Sequence, residues 1–305
     1  MRIPVATYRL QFSPALGWRQ AQEIVPYLAA LGISDIYASP IFQARPGSTH
    51  GYDVVDPTRL NPELGTAEDF DILIQQVKAR NMGWLQDIVP NHMAYDGTNP
   101  LLRDVLENGE SSPHFSVFDI DWSHPYASLR GRVLAPFLGR PYGEALEAGD
   151  ITLRYDRQGF TINYYTLQLP LKIESYIPLL THRLSLLRRR LGEDHPDYIK
   201  FLGILYSLKN LPLAPTDYQE RADQIRFIKR MLWELYTQNA TLRDFLQENI
   251  SLFQGEAGKP ESITRLDHLL SEQHFRLAFW KVATEEINYR RFFNINELIS
   301  LHMEE

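Results

Sequence analysis

Three short β-rich runs, residues 6–12, 33–39 and 84–89, alternate with two helical stripes. Strand, helix, strand, helix, strand at this spacing implies parallel βαβ units. The first stripe, 18–31, sets Ala21, Ile24, Val25, Leu28 and Leu31 on one face and ends at Gly32. Pro26 lies inside it and is expected to kink or shorten the helix. The second stripe opens on Thr66-Ala67-Glu68-Asp69, a capping-box pattern with Asp in the final place, and carries Phe70, Leu73, Ile74 and Val77. Between the second run and this helix lies a long loop punctuated by Pro46, Gly47, Gly51, Pro57, Pro62 and Gly65.

The rhythm changes after the third run. Residues 94–170 are rich in turn signals and hold one expected hairpin, 151–155 paired with 160–165 through Gly159. From 175 onward the pattern is mostly helical, with a last helix expected over about 262–288. The expected division is therefore 1–93 for three β/α units, 94–174 for a small inserted β-containing domain, and 175–305 for a helical region. The fold class is α/β.

Composition narrows the function classes. A net charge of -7 lacks the basic footprint of nucleic-acid binding. There is no cysteine, so disulfides and thiolate chemistry are excluded, and a cytoplasmic setting is expected. No apolar run reaches membrane-spanning length, so no membrane partner is expected. The nine histidines show no paired-ligand spacing, and no metal or other cofactor is expected.

The chemistry concentrates where the third run ends, in Asp87-Ile88-Val89-Pro90-Asn91-His92, and in His50-Gly51-Tyr52-Asp53 on the preceding loop. A carboxylate, an amide and an imidazole at the carboxyl end of a parallel strand lie where β/α-barrel sites are built. Each residue alone has a plainer reading. Asp87 and Asn91 could serve loop backbone, His92 could be a packed core histidine, and Tyr52 a loop packing residue. Together they suit a polyhydroxylated ligand, with Tyr52 stacking on a sugar ring and His92 donating to hydroxyls. Other charged groups read as solvated surface. Glu285-Glu286 and Arg188-Arg189-Arg190 are neighbours along helices, and Asp267, in an Arg-x-Asp-His string, follows helical spacing.

The combination resembles the α-amylase family of glycoside hydrolases. Further segments, TYRLQF (7–12), PGSTHGYDVVDPTRLNPELG (46–65), NPLLRDVLENG (99–109), FDIDW (118–122) and NYRRFFNINEL (288–298), resemble its trehalose-forming subgroup. One departure is Asn294, where an aspartate is expected. The resemblance implies the N-terminal portion of a (β/α)8 TIM barrel and a maltooligosaccharide substrate. It implies conversion of the reducing-end α-1,4 linkage to α,α-1,1. It also implies substrate-binding roles for Tyr52, His92, Asp87, Asp53, Asn91, His50 and Gln11. Two carboxyl groups, nucleophile and acid/base, are needed for such chemistry. The resemblance places both beyond residue 305, so the expected partner is a missing C-terminal half. An α-glucan hydrolase and a non-catalytic α-glucan-binding remnant are the alternative readings. An open edge beside the third strand, or a partner covering it, is expected.

Overall fold

In a computed structural model, residues 3–213 and 217–303 are described, and they divide into two compact units. Residues 3–100 and 291–303 form the first, and the described residues between 101 and 290 the second. These limits differ from boundaries at 93 and 174, because residues 94–100 pack with the first unit and the chain returns to it at 291.

The first unit is organised by three parallel strands, β1 (Thr7–Leu10), β2 (Asp35–Ala38) and β5 (Gly83–Gln86), in the order β1-β2-β5. No strand closes the sheet on β5 among the described residues, so its edge is open as expected. Helices α1 (Trp18–Ala30) and α2 (Ala67–Ala79) supply the crossovers. Contrary to expectation, α1 runs unbroken through Pro26. That residue sits on the exposed face, where water can serve the carbonyl left without a donor. The α2 cap is as read: the Thr66 hydroxyl accepts from the Asp69 N–H, and Asp69 accepts from the Thr66 N–H.

One feature of the long loop was not foreseen. β3 (Phe42–Ala44) and β4 (Val54–Leu60) pair antiparallel with irregular register. Pro57 argues against a strand in sequence, yet a two-stranded ribbon is all edge and tolerates the missing donor. A last short strand, β6 (His92–Ala94), pairs antiparallel with Leu298–Ser300.

Strand register assigns the two faces of the sheet. Tyr8, Ile36 and Trp84 share one row and Leu10, Ala38 and Gln86 another. Leu10, Ile36 and Ala38 are buried with Trp18, Val25, Leu28, Leu73 and Val77 of the helices. Aromatic rings tie this layer: Trp18 lies 5.0 Å from Phe12 and 4.9 Å from Phe70, and Phe70 lies 5.8 Å from Trp84. The opposite face carries Arg9, Tyr37 and Leu85 in one row.

The second unit mixes short strands with a helical layer. It begins with α3 (Pro100–Asn108), followed by β7 (Val133–Leu138) and α4 (Tyr142–Glu147). The expected hairpin is present as β8 (Ile151–Asp156) and β9 (Gly159–Tyr164), and a third strand, β10 (Leu167–Pro170), extends it. Helices α5 (Tyr176–Thr181), α6 (Leu184–Leu191), α7 (Pro196–Lys209), α8 (Tyr218–Gln238) and α9 (Ala240–Leu252) follow. The last expected helix is corrected. Its helical part is α10 (Pro260–Ser271), and Phe275–Phe279 forms β11, parallel to β7. Arg190 lies on the surface as expected, where both its terminal nitrogens donate to the exposed Glu248 at 3.0 and 3.1 Å. Glu286 pairs with Arg276.

Asn288 fastens this unit and explains part of the NYRRFF segment. Its amide donates to the Asp121 and Arg132 carbonyls at 3.0 and 2.8 Å, and its oxygen accepts from the Leu134 N–H at 2.8 Å. With Asn288 buried, Asn288→Ala leaves three backbone groups unserved and should cost roughly 2–3 kcal/mol in urea unfolding. Trp18→Ala should cost about 3–5 kcal/mol by emptying the aromatic layer. Trp18→Phe should cost clearly less, because the buried Trp18 indole N–H has no partner to lose. Equal losses in the two Trp18 variants would refute this.

Candidate functional site

The carboxyl end of the open sheet face carries a polar cluster built on one oxygen. Asp87 follows β5, and its Oδ2 accepts from Tyr52 Oη at 2.6 Å, Tyr37 Oη at 3.3 Å and Arg9 Nη1 at 3.3 Å. Arg9 Nη2 also donates to Tyr52 Oη at 3.0 Å and to Gln11 Oε1 at 2.9 Å. The guanidinium lies 4.9 Å from the Tyr37 ring centre, within cation–π range. Loss of solvent and the hydrogen bond to Asp87 raise the pKa of the Tyr52 hydroxyl above the ordinary phenol value, so Tyr52 acts here as a neutral donor.

A second layer holds the loop that delivers Tyr52. Gln11 Nε2 donates to the His50 carbonyl at 3.1 Å, and His50 Nδ1 accepts from the Tyr52 N–H at 3.0 Å. Asp53 accepts from the Ser48 hydroxyl and faces His50 Nδ1 at 3.8 Å. Gly51 has φ +77, and a Cβ there would stand 2.8 Å from the Pro40 carbonyl oxygen. Both facts require glycine in the His50-Gly51-Tyr52 turn.

His92 sits beneath the loop and is buried. Its ring stacks on Phe292, centres 4.3 Å apart and planes 19° off parallel. Nε2 lies 3.1 Å from the Tyr52 carbonyl. A carbonyl can only accept, so Nε2 carries the proton and Nδ1, which has no partner, is left as a bare acceptor. Desolvation lowers the pKa of His92, and the ring is neutral near pH 7. Asn91 contributes its carbonyl to the Leu301 N–H at 3.0 Å.

The structure therefore sorts the expected residues. Tyr52, Asp87 and Gln11 meet directly or through Arg9, while His50 and Asp53 shape the loop. His92 supports the Tyr52 backbone, and its one N–H is already committed there. Sequence reasoning missed Arg9 and Tyr37. The signal was a cation inside the apolar run TYRLQF, at a position register-matched to Tyr37. Asn294, the departure from the expected aspartate, accepts from Arg291, so a neutral oxygen serves that guanidinium. Asp267 lies on α10 and accepts from Tyr142 Oη at 2.7 Å, consistent with a helical surface residue.

Chemically, the cluster presents an aromatic ring, a fixed guanidinium and one carboxylate whose Oδ1 carries no hydrogen bond among the described residues. The network holds a single carboxylate, whereas glycosidic bond cleavage by a retaining route takes two. Among the described residues, no three His, Cys, Asp or Glu side chains gather as metal ligands. None of the described helices is long and apolar enough to cross a membrane.

Comparison with known proteins now bears on this geometry. The α-amylase catalytic-domain profile matches residues 20–111, the stretch that carries Tyr52, Asp87 and His92. A Mycobacterium tuberculosis protein named as a maltooligosyl trehalose synthase is 40% identical over 169 residues, 50% of this chain and 22% of that protein. The solved DSM5389 glycosyltrehalose synthase aligns over 99% of this chain and 30% of its own, with 28% identity and a TM-score of 0.65.

The chain resembles the N-terminal part of a maltooligosyltrehalose synthase of the α-amylase family.

The solved maltooligosyltrehalose synthase of Arthrobacter ramosus agrees, with 26% identity, a TM-score of 0.61 and coverage of 99% of this chain and 27% of that one. The chain thus spans 22–30% of the length of these relatives. An α/β fold of the α-amylase family accounts for both the profile match and the structural overlap.

One pH effect follows from His92. Its folded-state proton affinity lies below the ordinary pKa of about 6.5. The unfolded chain therefore binds the proton more readily. Stability from this group is present above about pH 6.5 and is lost as pH falls through the lowered value. Thermal midpoints should decline on acidification with a component absent from His92→Gln. A variant that tracks the wild type throughout that range would rule the effect out.

Proposed function

We propose that this chain supplies the Tyr52-centred part of the glucan site of a maltooligosyltrehalose synthase-like enzyme. The whole enzyme would convert the reducing-end α-1,4 linkage of a maltooligosaccharide to α,α-1,1. The observation that carries this reading is the Tyr52–Asp87–Arg9 network on an otherwise uncovered sheet face. Three donors fix Asp87 Oδ2, so the carboxylate is already oriented and Oδ1 remains for a hydroxyl. The Tyr52 ring offers an apolar surface to the C–H face of a pyranose.

In this reading β1, β2 and β5 are the first three strands of a (β/α)8 barrel, and the second unit is inserted after the third. Its support is the row Arg9, Tyr37 and Leu85, which lies on the face away from the helices. Parallel sheets are normally covered on both faces. Exposed Val5 and Leu85, at 89% and 38%, mark apolar surface that further strands would cover. The catalytic carboxylates would come from those strands, in a missing half that acts as partner. Exclusion of water from the completed site would favour transfer over hydrolysis. No cofactor enters the reaction, and a cytoplasmic setting fits the cysteine-free sequence.

A non-catalytic α-glucan-binding role is the second reading, favoured by the single carboxylate in the network. Calorimetric titration with maltopentaose tests both. Binding should be measurable and should weaken by about tenfold or more in Tyr52→Ala. Addition of the missing half should then produce loss of reducing ends. Binding without turnover in a well-formed complex would select the second reading, and release of glucose would select a hydrolase. No binding by the folded chain would count against every glucan-site reading of Tyr52.

A further inference from the structure

The second unit contains a cavity of about 220 Å³ walled by residues from segments that the Tyr52 site does not use. Asn108 and Gly109 come from NPLLRDVLENG, and Trp122 from FDIDW. Phe115, Lys172, Glu174 and His274 complete the part that matters here.

Three polar groups at these walls are unmatched. The Trp122 indole N–H and Glu174 Oε2 are buried without a partner. The Lys172 ammonium has no ion pair or hydrogen bond among the described residues, although its backbone N–H is fixed to Gln273 Oε1 at 2.8 Å. Unpaired buried donors and acceptors cost free energy unless something completes them.

The walls are nevertheless rigidly supported. Arg221, buried at 2% exposure, donates to Asn108 Oδ1 at 2.9 Å, Glu174 Oε1 at 2.7 Å and the Pro212 carbonyl at 2.9 Å. Asn108 in turn donates to Asp104 Oδ1 at 3.0 Å. Gly109 has φ +55, and a Cβ there would stand 2.5 Å from the His274 ring, so glycine lets the imidazole close one wall. Phe115 and Trp122 stack at 4.7 Å with planes 20° apart and form an aromatic platform.

We propose that this cavity binds one uncharged hexopyranose unit, separate from the Tyr52 cluster. The volume lies below the ~300–1,000 Å³ typical of drug-sized ligands, which suits a single sugar ring. Hydroxyls both donate and accept, so they can answer the indole and ammonium donors and the carboxylate acceptor together. An anion would meet Glu174, and a cation would meet Lys172 and Arg221. Small adjustments of the Trp122 and Glu174 side chains would bring their covered polar atoms to the ligand. This assignment does not depend on the function proposed for Tyr52.

The test follows the indole N–H resonance of Trp122, identified by its disappearance in Trp122→Phe, in the full chain with ¹⁵N-labelled tryptophan. D-Glucose should move it saturably, and inorganic phosphate should not. Lys172→Met should weaken glucose binding about tenfold or more, and Phe115→Ala should weaken it independently if Lys172→Met does not fold. Tyr52→Phe should leave the titration unchanged, which separates this site from the other. An indole resonance that stays still with glucose, or moves only with phosphate, overturns the proposal. Unchanged affinity in the folded Lys172 or Phe115 variant also overturns it.

Discussion

The parallel register that sets Arg9 beside Tyr37, and Tyr37 beside Leu85, is the constraint from which the first unit's chemistry follows. It brings a cation and an aromatic ring to one row of a sheet whose other face is filled with apolar side chains. Asp87, one residue past the end of β5, then lies within reach of both. A shift of one residue in β1 would turn Arg9 into the helical layer and leave a charge among Leu10, Trp18 and Ile36. The hydrophobic layer thus fixes the polar one. Packing of Trp18, Phe12 and Phe70 holds the register, and register holds the guanidinium over Tyr37.

Much of this was legible from sequence because short-range patterns carried it. The three strands, both crossover helices, the Thr66–Asp69 cap and the β8–β9 hairpin each depend on periodicity or turn chemistry within a few residues. Tyr52 and Asp87 were legible as chemistry because both stand out from loops or strand ends. Arg9 was hidden by its surroundings, since nothing local distinguishes a strand cation that faces a site from one that faces water. β11 was hidden by distance. Phe275 and Leu277 extend the apolar spacing of α10, and the partner strand β7 lies far upstream in sequence. A short apolar run carries no mark of which element it belongs to until its partner is known.

His92 shows a different gap between residue type and role. An imidazole near a loop tyrosine suggests a donor aimed at a ligand. In the fold, its proton goes to the Tyr52 carbonyl and its ring face to Phe292. The residue therefore acts on Tyr52 through the backbone that carries it. Phe292 comes from the far end of the chain, so a local reading of NYRRFF could not have found the stack.

The two units solve opposite electrostatic problems. In the first, a carboxylate oxygen gathers three donors, one of them charged, and stays partly solvated. In the second, a buried guanidinium gathers acceptors from three separate segments. A buried cation costs several kcal/mol of desolvation unless its partners are well placed. Arg221 meets this with a carboxylate and two neutral oxygens. That arrangement uses one oxygen of Glu174 and leaves the other unmatched. Had Arg221 served only to stabilise the fold, a bidentate pairing with Glu174 would have satisfied both oxygens. The geometry instead spends half the carboxylate on support and leaves the other half covered and unmatched beside a cavity.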